Sequence, residues 1–288
     1  MFRYLINFSA FLIFFGRGYQ FFFFGAPYRA IFWDESLLSP VVEGLFNYSW
    51  QEYATNLKVN TFIENLTILS SVVFIVCALL CLFWHQIRLY ILKKTILGTG
   101  IFLLFFMGIC MVKSKNYDIL QLFELSIQLI VPLVIFFNAS LKNMDVSKLS
   151  KWLKIAVALT FIPHGLFAMG LFYVPGHFID MTIKILGVNE AQATQLLFLV
   201  GVFDIIVSIF IFIPKLARPT LVYVMIWGFL TAAARLVSGF NPDFFWSSLH
   251  NSTYLTLYRL PHALVPLIIY LLLPKTHTLT FKLLTNEN

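Results

Sequence analysis

The chain has 288 residues, of which 60% are hydrophobic and 11% charged, too little polar surface to cover a water-soluble body of this size. The formal net charge of +7 could suit nucleic acid, but the basic residues are spread over alternate loops rather than gathered into a patch, so no nucleic-acid role is expected. Cys77, Cys81 and Cys110 form no CxxC pair and fall inside apolar runs, so they read as small core residues and not as a thiol redox centre.

Apolar runs able to cross about 30 Å of hydrocarbon predict eight helices, at residues 4–25, 62–84, 95–112, 119–137, 152–174, 193–213, 220–237 and 257–273. The first is long, carries Arg17 and lacks a small-residue cleavage site, so it is read as a retained helix rather than a signal peptide. The connection 26–61 interleaves Tyr28, Phe32, Trp33, Leu37 and Phe46 with acids, which predicts an amphipathic segment at head-group level, an anchor first and a lid or dock second. Trp246, Tyr254 and Tyr258 are placed in the last outer loop with the same two roles.

Basic residues cluster on one predicted side: Arg3, then Arg88, Lys93 and Lys94, then Lys142, Lys148, Lys151 and Lys154, then Lys215 and Arg218, then Lys275 and Lys282. The acids Asp34, Glu35, Glu43, Glu52, Glu64, Asp118, Asp180, Glu190 and Asp243 fall on the other. Because cytoplasmic loops are rich in Lys and Arg, both termini are expected in the cytoplasm. The bias is partial, since Arg29, Lys58, Lys113, Lys115 and Lys184 sit among the acids.

Landmarks recur in order along the two halves. Phe15-Gly16-Arg17-Gly18-Tyr19 answers to Ile162-Pro163-His164-Gly165-Leu166, each a glycine-flanked basic residue within an apolar span. Val59-Asn60 answers to Val188-Asn189 before the next span, and Val131-Pro132-Leu133 to Val265-Pro266-Leu267 in the fourth. An even number of helices per half gives the copies the same orientation, related by an axis along the membrane normal. The expected fold class is all-α: a polytopic membrane protein of about eight transmembrane helices in two tandem four-helix bundles, 1–140 and 155–288, joined by a basic cytoplasmic linker, 141–154.

The second half, with Thr160-Phe161-Ile162-Pro163-His164-Gly165, Val174-Pro175-Gly176-His177-Phe178-Ile179-Asp180, Ala234-Arg235 and Arg259, resembles the DoxX-like family of bacterial integral membrane proteins, and the first half is a more diverged copy. The resemblance implies a four-helix module in the bacterial cytoplasmic membrane and a theme of quinone-linked or thiol-linked redox systems. It assigns no activity.

Charges at bilayer depth cost on the order of 2.5 to 3.5 kcal/mol each and are kept for a reason. Asp204 is placed near the midplane of the sixth span with His164 at similar depth, and Arg235, Arg259 and His262 in the outer half; Arg17 and Glu124, with Gln121 and Gln128, are their first-half equivalents. Together His164, Asp204, Arg235, Arg259, His262, Arg17 and Glu124 are candidates to bind a ligand's polar head or to relay a proton. A quinone would suit them, its carbonyls taking His or Arg donors. The competing role is structural, with Asp204 paired to Arg235 or His164 and Glu124 to Arg17, each contact worth roughly 0.6 to 2 kcal/mol. This role is preferred to catalysis. His164 and His262 are the one conceivable haem-ligating pair, at depths expected to differ, and no histidine shows metal-site spacing.

The leading expectation is a membrane-embedded subunit or lipophile-binding component of a larger complex, with membrane lipids and other membrane or periplasmic subunits as partners. A quinone-linked redox subunit is the alternative. A small-solute transporter ranks below it because broken mid-membrane helices are not evident in the sequence.

Overall fold

The computed structural model describes residues 2–138 and 145–274. Lys142, Lys275, His277 and Lys282 lie outside the described residues, as do positions 141–144 of the expected linker. Everything regular among the described residues is helical.

The helix α1 (Phe2–Phe24) runs toward the end of the molecule that carries the long connection 25–56. There the connection expected at the interface is itself helical: α2 (Arg29–Phe32), α3 (Glu35–Phe46) and α4 (Trp50–Thr55). Local sequence explains the breaks. Asp34 accepts from the Leu37 amide to start α3, Asn47 ends it at φ 54°, and Ser49 with Glu52 forms a reciprocal capping box on α4. Asp34 also meets Lys113 at 2.5 Å, which ties this helical hat to the body. The Lys113 ammonium and then the Ser36 hydroxyl hold the Asp34 carboxyl below the usual carboxylate range.

The chain returns through α5 (Leu57–Leu82), antiparallel to α1. Tyr28 donates to Ser70, Ser71 donates to the Gly18 carbonyl, and Asn7 faces His85 at the other end. Asn56 caps α5, so Val59-Asn60 lies inside the helix, whereas Asn189 caps its counterpart. That pair of landmarks therefore marks different helical positions. Next come α6 (Tyr90–Ser114), a short α7 (Leu120–Phe123) and α8 (Ser126–Phe137). The three cysteines are buried in α5 and α6.

The second half runs through α9 (Val146–Ala168), α10 (Gly176–Leu186), α11 (Glu190–Phe210), α12 (Pro214–Ser238), a 3-10 turn at Pro242–Phe244, α13 (Phe245–Leu257) and α14 (Pro261–Leu272). Trp246, Tyr254 and Tyr258 are therefore not in a loop: the first two lie on α13 and Tyr258 caps its end. Helix pairing follows one scheme in both halves. α1 packs on α5 as α9 packs on α11, α6 backs α8 as α12 backs α14, and α1 and α9 each touch both α8 and α14. Those last four helices form the seam between the quartets.

Among the described residues, five segments are long and apolar enough to cross a membrane: Leu57–Leu82, Tyr90–Ser114, Glu190–Phe210, Pro214–Ser238 and Pro242–Leu272. These are fewer than the expected eight, and the reason is physical. α1 and α9 have 23 residues each, but Asn7, Arg17 and Gln20 dilute the first and Lys151, Lys154 and His164 the second. α8 is only 12 residues, because the fourth span breaks at Glu124-Leu125 before it.

A matching break at Tyr258, Arg259 and Leu260 separates α13 from α14. Broken helices at this depth were not expected. Backbone groups freed in such a place need partners. Thr160 of α9 accepts from the Ile127 amide at the first turn of α8, Arg259 donates to the Leu255 carbonyl, and the His262 ring donates to the Arg259 carbonyl at 2.7 Å. Pro132 and Pro266 cannot donate, so each also frees the carbonyl four residues earlier, those of Gln128 and His262.

Candidate functional site

Arg17 lies on α1 between Gly16 and Gly18, and both glycines are required by close helix approach. A Cβ on Gly16 would stand 2.9 Å from the Tyr258 amide nitrogen, and one on Gly18 would meet Ile75 of α5. The neighbours close on α1 from two flanks and leave Arg17 only 4% exposed. Its Nε donates to the Gln128 amide oxygen at 2.9 Å, one Nη donates to Gln20 at 2.7 Å, and the guanidinium stands 3.8 Å from the centre of the Tyr258 ring. Arg259 stands over the same ring at 4.7 Å.

His164 occupies the equivalent place on α9. Gly165 beside it packs on α11 so closely that a Cβ would come 2.7 Å from the Gly201 carbonyl oxygen. The His164 Nδ1 faces a Glu124 oxygen at 3.1 Å, with both side chains about one-fifth exposed. The His262 ring lies 6.0 Å away, so the two imidazoles are neighbours and not at different depths as expected. Carbonyl and carboxylate oxygens only accept, so Nδ1 carries a proton in both rings.

These groups surround a cavity of about 330 Å³ in the seam, at the loop-end side of the helix breaks. Arg17, Gln20, Glu124, Gln128, His164, Tyr258, Arg259 and His262 give it polar lining, and Phe24, Pro27, Met107, Met111 and Leu125 apolar lining. Five of the seven expected site residues are thus brought together. The expected pairings are not: Glu124 pairs with His164 and not with Arg17, while Asp204 and Arg235 lie off the lining.

Asp204 is 4% exposed on α11, hydrogen-bonded by the Trp227 side chain, with its Oδ1 left without a partner. It forms no ion pair with Arg235 or His164. Arg235 stands over the Phe178 ring at 5.8 Å, its buried Nε unpartnered, within electrostatic range of Arg259 and Glu124. Among the described residues, Arg17, Arg235 and Arg259 have no carboxylate within ion-pairing distance.

Sequence reasoning missed Gln20, Tyr258, Met107 and Met111. A signal for Tyr258 was present: it precedes Pro266 by the same interval at which Glu124 precedes Pro132. The methionines carry no sequence signal, since a thioether on an apolar helix reads as core filling. A scan against protein-family models and searches of curated proteins and of solved structures found no match to this chain.

Proposed function

We propose that the chain is a multi-pass protein of a bacterial inner membrane, a duplicated DoxX-like module, that binds a lipophile in the seam between its two quartets, by itself or as the embedded subunit of a larger complex. In this reading α1, the α7–α8 pair and α9 complete eight crossings with the five longer segments, and both termini face the cytoplasm. The common helix pairing and the matching breaks before α8 and α14 support the duplication.

The observation that carries the reading is the cavity's mixed lining. Guanidiniums, imidazoles and amides share it with Met107, Met111, Leu125 and Phe24, a lining suited to a molecule with a polar head and an apolar body. The head must accept hydrogen bonds, because Arg17 and Arg259 have only donors to offer. Quinone carbonyls and oxyanions both meet that requirement.

Organic extraction of the purified chain followed by mass spectrometry tests this. A lipophile recovered near one per chain, and lost from an Arg259→Gln variant that stays folded, is the expected result. Absence of any retained lipophile together with no saturable binding of added ones contradicts it.

The two helix breaks favour transport of a small solute as a second reading, since discontinuous helices aim freed backbone groups at a substrate. Uptake into proteoliposomes that fails when Arg17 or Glu124 is replaced would decide for it over simple binding.

A further inference from the structure

On the reading of the cavity as a lipophile site, we infer that the head group it holds is an oxyanion, a carboxylate or phosphate monoester on an apolar chain, and not a neutral quinone ring. The cavity is lined by two guanidiniums, Arg17 and Arg259, and a single carboxylate, Glu124, which already faces His164. The lining is therefore net positive whatever the state of the histidine. Arg235 adds a third guanidinium within electrostatic range.

Charge compensation is what this site lacks. Arg17 is almost wholly buried, yet its hydrogen bonds go to the neutral amides Gln128 and Gln20 and its face to the Tyr258 ring. Neutral acceptors satisfy the N–H groups but leave the charge in place, and a buried cation without a counter-ion is strongly disfavoured at bilayer depth. A quinone would add two more neutral acceptors. An oxyanion adds acceptors and cancels charge, and its bonds to guanidinium are about twice as strong as neutral ones. Arg259 is the more accessible cation, its Nη1 held on the Leu255 carbonyl at the break of the last span. Gln20, about one turn before the end of α1, lines the cavity beside the charged groups, and Met107 and Met111 offer it apolar surface for the chain that carries the head group.

The test uses the full chain in neutral detergent and four probes: dodecanoate, dodecyl phosphate, dodecanol and decylubiquinone. Binding of at least one anion about tenfold or more tighter than both neutral probes is expected, and the preferred anion distinguishes a carboxylate from a phosphate source. Arg17→Gln and Arg259→Gln should each remove that preference, with Arg→Lys variants recovering part of it. Should Arg17→Gln fail to fold, Arg259→Gln carries the comparison. Decylubiquinone binding as tightly as the anions, or an anion preference untouched by Arg259→Gln, overturns the inference while leaving a lipophile site. Saturable binding of none of the four overturns the lipophile reading as well.

Discussion

Glu124, at the break before α8, and His164, about one turn from the C-terminal end of α9, meet at 3.1 Å across the seam between the two quartets. Each comes from a different half, so this contact joins the halves and also fixes one wall of the cavity. Because the pair is only about one-fifth exposed, removing one partner strands the other in a poor solvent.

Glu124→Gln should lower stability by about 1–3 kcal/mol. A double-mutant cycle with His164→Gln should give a coupling of about 0.5–3 kcal/mol between the two positions. Chemical denaturation in detergent measures both. Strictly additive losses would show that the two groups stand side by side without acting on one another.

The crossing of α9 and α11 sets where His164 sits. A methyl on Gly201 would lie 2.5 Å from the Gly165 carbonyl oxygen and 2.9 Å from the Met169 amide nitrogen, both backbone atoms that cannot swing aside. Gly201→Ala should therefore cost about 1–3 kcal/mol and weaken ligand binding by shifting α9. Gly44→Ala on α3, where a Cβ meets nothing within 4 Å, is the matched control and should be neutral or slightly stabilising.

Asp204 was one of the seven candidates in the sequence, but it lies off the cavity lining. Asp204→Asn keeps the acceptor for Trp227 and removes an oxygen that has no partner. The variant should fold, with ligand affinity changed by less than about 0.5 kcal/mol. A tenfold loss of binding would place Asp204 in the site after all.

The contact between Asp34 and Lys113 makes the helical hat acid-sensitive. The folded carboxyl titrates below its unfolded value near 3.9, so its contribution is fully present above that value and is lost as pH falls through the depressed one. Limited proteolysis of residues 29–55 should show protection that holds from neutral pH to about pH 4 and fails below it. Asp34→Asn should raise cleavage at neutral pH, leaving little further change on acidification.

Helix content and five of the residues that line the cavity were legible in the sequence, for a common reason. Long apolar runs and prolines at a fixed interval from polar residues are local signals, and Pro132 and Pro266 lie where the pattern puts them, inside α8 and α14. The break at Glu124-Leu125 was not legible, because the side chain that meets the freed Ile127 amide, Thr160, comes from another helix, whereas the break at Tyr258–Leu260 is met by the neighbouring Arg259 and His262. The same limit explains the pairings. Arg17 takes neutral amides and an aromatic face in place of Glu124, and only the packing of four helices decides which partner each charge meets.

Photolabelling decides the central point, that the seam holds the ligand. A long-chain carboxylic acid with a photoreactive group along its tail, activated on the purified protein and mapped by mass spectrometry, should mark Met107, Met111 and Leu125, and excess dodecanoate should suppress the label. Label spread over the outward faces of α11 and α12, at Phe198, Phe203, Ile226 and Phe229, and indifferent to competitor, would contradict a ligand site in the seam.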